Sequence, residues 1–328
     1  MKDQYGREID YIRISVTDRC NLRCKYCMPE EGVYSLQHED ILTYEEIIML
    51  CHCFAKLGIK KVKLTGGEPL VRKGFVPLVK KIKEIPGIEE VTMTTNGILL
   101  EEYLEDLKAA GLDAINISLD SLNPEKYKDI TRQGDLSKVM KSIERAAGMG
   151  FRSIKINALI ISGFNEDDIV SLASLAKDTP VSVRFIEMMP IGEGGGYSGI
   201  SQADIMNRLE AVYGTLTPYT EKIGNGPATY YELLGFQGKI GFISAISHEF
   251  CEDCNRIRVT ADGNLKLCLQ YQNLLQLKEI IASKVSEEEL TELLRMAIFM
   301  KPRKHDFQNK KEHACSKKET KSMVQIGG

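Results

Sequence analysis

Three cysteines fall within eight residues, Cys20-Asn21-Leu22-Arg23-Cys24-Lys25-Tyr26-Cys27, a spacing that lets their thiolates converge on one face of a loop. Soft sulfur ligands suit zinc or iron–sulfur centres. A closed structural zinc site takes four ligands, and no fourth cysteine or histidine is close in sequence. A four-iron cluster held by three thiolates instead keeps one iron open for an exogenous ligand. The competing reading is a structural zinc completed by a distant residue. A second triad repeats the pattern, with Cys251-Glu252-Asp253-Cys254 followed by thirteen residues and then Cys268. His248 could close this set around zinc, but a second open cluster accounts better for two incomplete triads in one chain. Arg256 and Arg258 follow Cys254 two residues apart on an expected strand, so they share a face and could grip phosphates bidentately. An iron able to hold a base beside arginines able to hold phosphates describes a nucleotide site.

These residues must be held by a scaffold, and the first two-thirds of the chain supply one. Short β-branched runs alternate with amphipathic stretches, as in βα units around a parallel sheet. Strands are expected at Asp10–Val16, Lys61–Thr65, Val91–Thr95, Ala114–Leu119, Ser153–Ile160 and Val181–Ile186, with helices at Tyr44–Leu57, Gly74–Ile85, Glu101–Ala110, Leu136–Met149 and Glu166–Lys177. Thr43 with Glu46 forms a capping box, and Gly58, Gly111 and Gly150 are expected C-caps. After a glycine-rich loop at Gly192–Gly199 and a helix at Ser201–Tyr213, the boundary is placed near Thr217. That divides the chain into 1–217 and 218–328. The second part carries expected strands at Lys239–Ser247, Arg256–Thr260 and Asn264–Leu269, a helix at Ser286–Met300 and a basic stretch from Lys301 to Lys321.

In such a scaffold function gathers at the C-terminal strand ends. The first strand ends before the cysteines, the second at Gly66-Gly67-Glu68-Pro69, the third at Thr94-Thr95-Asn96-Gly97, the fourth at Ser118-Leu119-Asp120, and the sixth before Glu187-Met188-Met189. Each alone reads as a turn, a cap or core; together they outline one mouth. Arg13 lies between Ile12 and Ile14, and Lys155 between Ile154 and Ile156, so both side chains oppose an apolar face. Facing a barrel interior they need an anion, and a substrate phosphate is the economical candidate; a salt bridge or an outward face is the alternative.

Composition narrows the class further. With 43% hydrophobic and 27% charged residues in a chain of 328, wholesale disorder and fibrous folds are excluded. A formal charge of −3 means that any phosphate binding rests on a local basic patch, and nothing points to nucleic acid. No apolar run reaches the roughly 18 residues of a membrane span, and the first residues lack a signal-peptide core, so a cytoplasmic enzyme without membrane contact is expected. In a reducing compartment nine cysteines more often bind metal than form disulfides.

The CxxxCxxC motif with Tyr26 before its last cysteine resembles that of the radical S-adenosylmethionine superfamily, and Gly66-Gly67-Glu68 resembles its GGE motif. The run Cys251-x-x-Cys254-Asn255-Arg256-Ile257-Arg258, with Leu265–Leu269 and the Gly327-Gly328 pair, is similar to the GTP 3′,8-cyclase branch of molybdenum cofactor biosynthesis. That likeness extends from about Arg13 to Gly328. It implies an α/β fold, an incomplete (βα)6 TIM-like barrel closed at its mouth by a smaller C-terminal α+β domain. It implies two [4Fe-4S] clusters, on Cys20, Cys24 and Cys27 and on Cys251, Cys254 and Cys268. S-adenosylmethionine contacts are implied at Tyr26, Gly67, Ser118 and Met189, and GTP contacts at Arg13, Lys63, Thr94, Lys155, Arg256, Ile257 and Arg258. Arg13, Arg256, Arg258, Gly327 and Gly328 are implied in catalysis. At position 63 the branch is expected to carry arginine, so lysine puts a bidentate grip in doubt.

The resemblance further implies an external electron donor and hand-off of product to a cyclic pyranopterin monophosphate synthase, and it leaves a homodimer open. Cys51 reads as core, and Cys53, Cys315, His52, His305 and His313 suggest only packing or surface roles. A radical peptide-modifying enzyme with an auxiliary cluster is the alternative enzyme, and predicts more cysteines in the second part. A non-enzymatic metal-binding or electron-transfer module would instead carry closed four-ligand clusters.

Overall fold

A computed structural model of the protein describes residues 1–221, 223–272, 274–307 and 319–327; Gly328, Cys315 and His313 lie outside the described residues. The strands are β1 (Tyr11–Ser15), β2 (Lys61–Thr65), β3 (Glu90–Thr95), β4 (Ala114–Ser118), β5 (Ser153–Leu159), β6 (Ser182–Ile186), β7 (Thr217–Tyr219), β8 (Thr229–Glu232), β9 (Ile240–Ile243), β10 (Arg256–Val259), β11 (Asn264–Lys266) and β12 (Leu275–Gln276). The helices are α1 (Tyr44–Lys56), α2 (Phe75–Lys83), α3 (Leu100–Ala109), α4 (Pro124–Thr131), α5 (Leu136–Gly148), α6 (Ile169–Ser174), α7 (Gln202–Tyr213), α8 (Leu277–Ala282), α9 (Glu287–Phe299) and α10 (Met323–Ile326).

Period-two alternation builds the sheet. Ile12 and Ile14, Val62 and Leu64, Ile115 and Ile117, Val183 and Phe185 are all buried in one hydrophobic cluster with the helices. Each such side chain contributes about 1.5–3 kcal/mol on leaving water. The residues between them, Arg13, Lys63, Asn116 and Arg184, therefore occupy the other face. The sheet order is β12-β11-β10-β1-β2-β3-β4-β5-β6-β9-β8-β7. Strands β1 to β6 are parallel neighbours, as expected of six βα units.

The later strands enter this sheet at both edges. Strand β10 adds in parallel to β1, with Arg258 opposite Arg13, and β9 adds in parallel to β6. Eight consecutive strands thus run parallel, flanked by the antiparallel strands β11–β12 and β8–β7. Among the described residues β9 and β10 do not pair, so the sheet stays open between them.

Local signals account for most boundaries. Thr43 and Glu46 form the capping box of α1, and Gly58, Gly111 and Gly150 take φ of 83°, 85° and 67°. Several elements depart from the expectation, β12, α8 and α10 among them. The fifth expected helix, Glu166–Lys177, shortens to α6 behind a 3-10 turn at Glu166–Asp168. Helix α4 was not expected, although Asn123 caps it and Pro124 stands at its first turn. The hairpin β7–β8 replaces an expected loop.

Candidate functional site

The loop after β1 carries the first triad. Leu22 N–H reaches Cys20 Sγ at 3.4 Å, and Cys27 N–H donates to Cys24 O at 2.9 Å. Tyr26 Oη donates to Asp120 Oδ2 at 2.6 Å, while Leu159 N–H donates to Asp120 Oδ1 at 2.8 Å, tying the loop to the ends of β4 and β5. Burial pushes the Cys20 thiol up to about 11 and the Cys27 thiol up to about 12, and Cys20 adds to the rise at Cys27. Thiols so placed hold their anionic form only against a cation.

The Gly66-Gly67-Glu68 turn packs closely against the loop of the first triad. A Cβ at Gly66 would lie 2.6 Å from Thr17 O, and one at Gly67 would lie 2.6 Å from the Arg19 carbonyl carbon. Gly67 N–H donates to Thr17 O and Glu68 N–H to Arg19 O. These glycines are required where the turn meets the chain's own cluster loop. Glu68 is fully buried and accepts from Thr95 Oγ1 at 2.8 Å, Asn96 N at 2.7 Å and Leu70 N at 3.1 Å. Burial nonetheless raises it to about 7. Its carboxylate fastens the end of β3 beneath Cys20, to which Asn96 Nδ2 also points. Gly67→Ala is expected to lower stability by about 1–3 kcal/mol, as overpacking does, and to weaken iron retention. Thermal unfolding and iron analysis check this; an unchanged Tm would contradict it.

Below the loop the sheet face is basic. Arg13, Lys63, Lys155, Arg184, Arg256 and Arg258 share it. Burial lowers Lys63, Lys155 and Arg258, and neighbouring cations lower each further: Arg184 for Lys63 and Lys155, Arg13 for Arg258. Asn116, with its amide oxygen turned inward, accepts from Lys63 Nζ at 2.5 Å and Arg184 Nη2 at 3.1 Å. Arg184 Nε donates to Asn157 Oδ1 at 2.9 Å. Glu90 is the acid whose charge opposes these shifts at Lys63 and Lys155. Thr92 and Thr94 leave buried hydroxyls without partners. Such a concentration of buried positive charge requires a multiply charged anion.

The second triad lies where β10 begins. Cys254 and Cys268 each raise Cys251, which places the three together. Burial raises the Cys254 thiol, but Lys301 and Arg256 outweigh it and bring it down to about 6. Arg256 also stacks over Phe250 at 4.9 Å. A cavity of about 970 Å³ opens here, lined by Asp10, Tyr230, Phe250, Cys254 and Arg256 among others, within the range of small-molecule sites.

The residues after the second triad's domain return to the first. Val324 N–H is directed at the Cys27 thiol, and Gly327 O accepts from Arg258 Nη1 at 3.0 Å. Gly327 takes φ of 87°, and a Cβ there would lie 2.6 Å from Ser15 Cβ. It therefore bridges the strand ends and the arginines.

Both triads fit iron–sulfur clusters on chemistry. Each supplies three thiols, the soft donors that such a cluster takes. Close to the second triad His305 is 6% exposed and, among the described residues, neither ring nitrogen has a partner, an orphaned polar group of the kind that a bound group satisfies.

Comparison with known proteins decides the relationship. A sequence model of the Radical SAM superfamily matches residues 14–176, and one for Molybdenum Cofactor Synthesis C matches residues 181–307. The chain is 46% identical over 331 residues to a GTP 3′,8-cyclase of Alkaliphilus metalliredigens, covering 100% of both chains. Identity is also 46% to GTP 3′,8-cyclases of Clostridium perfringens and Syntrophomonas wolfei, again over 100% of both. The chain belongs to the GTP 3′,8-cyclase family. Among solved structures, Streptococcus suis SuiB bound to the precursor peptide SuiA matches with a TM-score of 0.61 at 13% identity, over 88% of this chain and 67% of that one. At that identity the likeness concerns the fold alone.

Seen as a member of the GTP 3′,8-cyclase family, the chain places most of the expected residues in one interior. Tyr26, Gly67, Ser118 and Met189 stand at the strand ends near the first triad, and Arg13, Lys63, Thr94, Lys155, Arg256 and Arg258 on the face below. Ile257 is the exception: its side chain is 1% exposed in the helix-facing core, leaving only its backbone toward the interior. Arg184 was missed, although it interrupts Val183 and Phe185 by the same rule that singles out Arg13. Asn116 and Asn157 gave no comparable signal, because a polar amide in a strand is common.

Proposed function

We propose that this protein is a GTP 3′,8-cyclase, a lyase that converts GTP to (8S)-3′,8-cyclo-7,8-dihydroguanosine 5′-triphosphate in molybdenum cofactor biosynthesis. The observation that carries the reading is the belt of six basic side chains lying between two cysteine triads, Lys63, Lys155 and Arg184 buried and Arg13, Arg256 and Arg258 half-buried. With both clusters bound, the first supplies the electron that cleaves S-adenosylmethionine to the radical that takes the C3′ hydrogen of GTP. Cys20, Cys24 and Cys27 would hold that cluster, and Tyr26, Gly67, Ser118 and Met189 would line the cofactor. Arg13, Lys63, Lys155, Arg184 and Arg258 would hold the triphosphate, the lysines as point charges and the arginines as forks. Cys251, Cys254 and Cys268 would hold the second cluster beside the base, with Arg256 shielding it from the cavity. Gly327 would close the interior next to Arg258.

The remaining parts of the proposal follow from the same reading. The chain divides near Thr217 into a cluster-bearing partial barrel and a substrate-binding second domain. Its partners are an external electron donor and the synthase that consumes its product; a homodimer fits the same reading. No helix among the described residues is long and apolar enough to cross a membrane, which suits an enzyme of the cytoplasm.

One pH effect follows directly. Burial, reinforced by Arg184, lowers Lys155 from 10.5 to about 7. An amine so depressed binds fewer protons folded than unfolded, so it makes the ligand-free protein more stable as pH rises from about 7 to 10.5. A bound triphosphate reverses the burial penalty and restores the charge. GTP binding at pH 8 is therefore expected to take up protons and to weaken toward pH 9, as calorimetry in buffers of different ionisation enthalpy would register. Lys155→Met should reduce this uptake, the remainder belonging to Lys63, which burial lowers as well; uptake unchanged in that variant would contradict the assignment.

The function itself is tested anaerobically. Protein reconstituted with iron and sulfide, then given dithionite, S-adenosylmethionine and GTP, should yield deoxyadenosine and an isomer of GTP by mass spectrometry. Cleavage of S-adenosylmethionine without the isomer would move the substrate elsewhere.

A further inference from the structure

The residues following α9 are stitched to both arms of the second triad. Lys301 Nζ donates to Arg256 O at 2.9 Å and Leu267 O at 2.5 Å, next to Cys254 and Cys268. Arg7 Nη1 donates to Cys251 O at 2.8 Å and its Nη2 to Pro302 O at 2.7 Å. Tyr271 Oη donates to Lys304 O at 3.2 Å, and Asp306 N–H to Gln270 Oε1. Within this clamp lies His305, 6% exposed, its ring packed on Phe307 with centroids 4.5 Å apart. Its backbone N–H is directed at the Cys251 thiol, yet neither ring nitrogen has a partner among the described residues.

A neutral imidazole carries one N–H donor and one acceptor, and burying either unmet costs about 1–3 kcal/mol. The neighbouring cysteines, once they hold a cluster, add sulfide and thiolate sulfurs that accept hydrogen bonds. We propose that His305 donates a ring N–H to a sulfur of the second cluster and thereby raises the reduction potential of that cluster. The direction follows from charge: the reduced cluster is the more negative one, so a fixed donor stabilises it more than the oxidised form. His305 is thus a positioning and tuning residue, not an iron ligand. The inference rests on Cys251, Cys254 and Cys268 forming an iron–sulfur site.

The test uses the reconstituted full chain with its iron counted first. If about four irons bind instead of about eight, the cluster reading itself fails, separately from the role of His305. With both clusters present, reduced enzyme labelled with nitrogen-15 histidine should show a weak nitrogen coupling and an exchangeable deuteron coupling on the second cluster. Absence of both, or a strong coupling typical of a nitrogen bonded to iron, would overturn the proposal. In an EPR-monitored redox titration His305→Phe should shift the second cluster to lower potential and remove both couplings, while His305→Gln, which keeps an N–H donor, should recover most of the shift. Equal potentials in wild type and His305→Phe would also overturn it. If His305→Phe does not fold, the labelled wild-type spectrum still decides.

Discussion

Replacing Cys24 by serine is expected to remove about four of about eight irons per chain and to leave no detectable release of deoxyadenosine. Cys24 is the middle ligand of the first triad, and its backbone carbonyl receives both Cys27 N–H at 2.9 Å and Met28 N–H at 3.1 Å. The loop is therefore a preformed turn that presents three thiols, and loss of one leaves too few to hold the cluster. The fold should persist, because the loop lies outside the hydrophobic cluster made by the strands and helices. Far-UV circular dichroism, iron analysis and chromatography of the nucleoside product check the three parts together. A variant with full iron and product release would remove Cys24 from the active centre.

Arg258→Ala carries the second large effect. Its guanidinium is buried beside Arg13 and Arg256 and donates to Gly327 O at 3.0 Å. A charge-assisted contact of this kind contributes about 1.5–3 kcal/mol, so its removal should lower kcat/KM for GTP by roughly ten- to a hundredfold. Release of Gly327 from the strand ends should add to that loss. Arg258→Lys keeps the charge but not the fork and should fall between. Steady-state kinetics against GTP measures the effect, and retained cleavage of S-adenosylmethionine shows that the first cluster is intact. Unaltered kcat/KM in the alanine variant would remove Arg258 from the substrate site.

Period-two alternation made Arg13 and Lys155 readable as inward residues before any coordinates, and both lie on the basic face. The same rule applied to Val183-Arg184-Phe185 would have found Arg184. The first triad and the Cys251–Cys254 pair were legible because metal ligands presented by one loop lie close in sequence, whereas Cys268 comes from beyond β11. What escaped was set by distant pairing. Nothing near Arg256 announces that it aligns with Tyr11, or that β9 will extend β6, since register between strands far apart in sequence depends on the whole core. The place of Gly66-Gly67-Glu68 was legible, but not that its backbone packs on Thr17 and Arg19, residues far off in sequence. The hairpin β7–β8 was missed because its residues are mostly exposed and carry little apolar pattern. His305 was passed over, because its unmet nitrogens become informative only once burial and the neighbouring Cys251 are known.

The central claim is that this interior positions GTP so that its C3′ hydrogen is the one removed. The most direct measurement supplies the reconstituted, reduced enzyme with S-adenosylmethionine and GTP deuterated at C3′, and follows the label by mass spectrometry. Deuterium in deoxyadenosine, together with a GTP isomer that has lost it, is the predicted result; deoxyadenosine formed without deuterium would contradict the account.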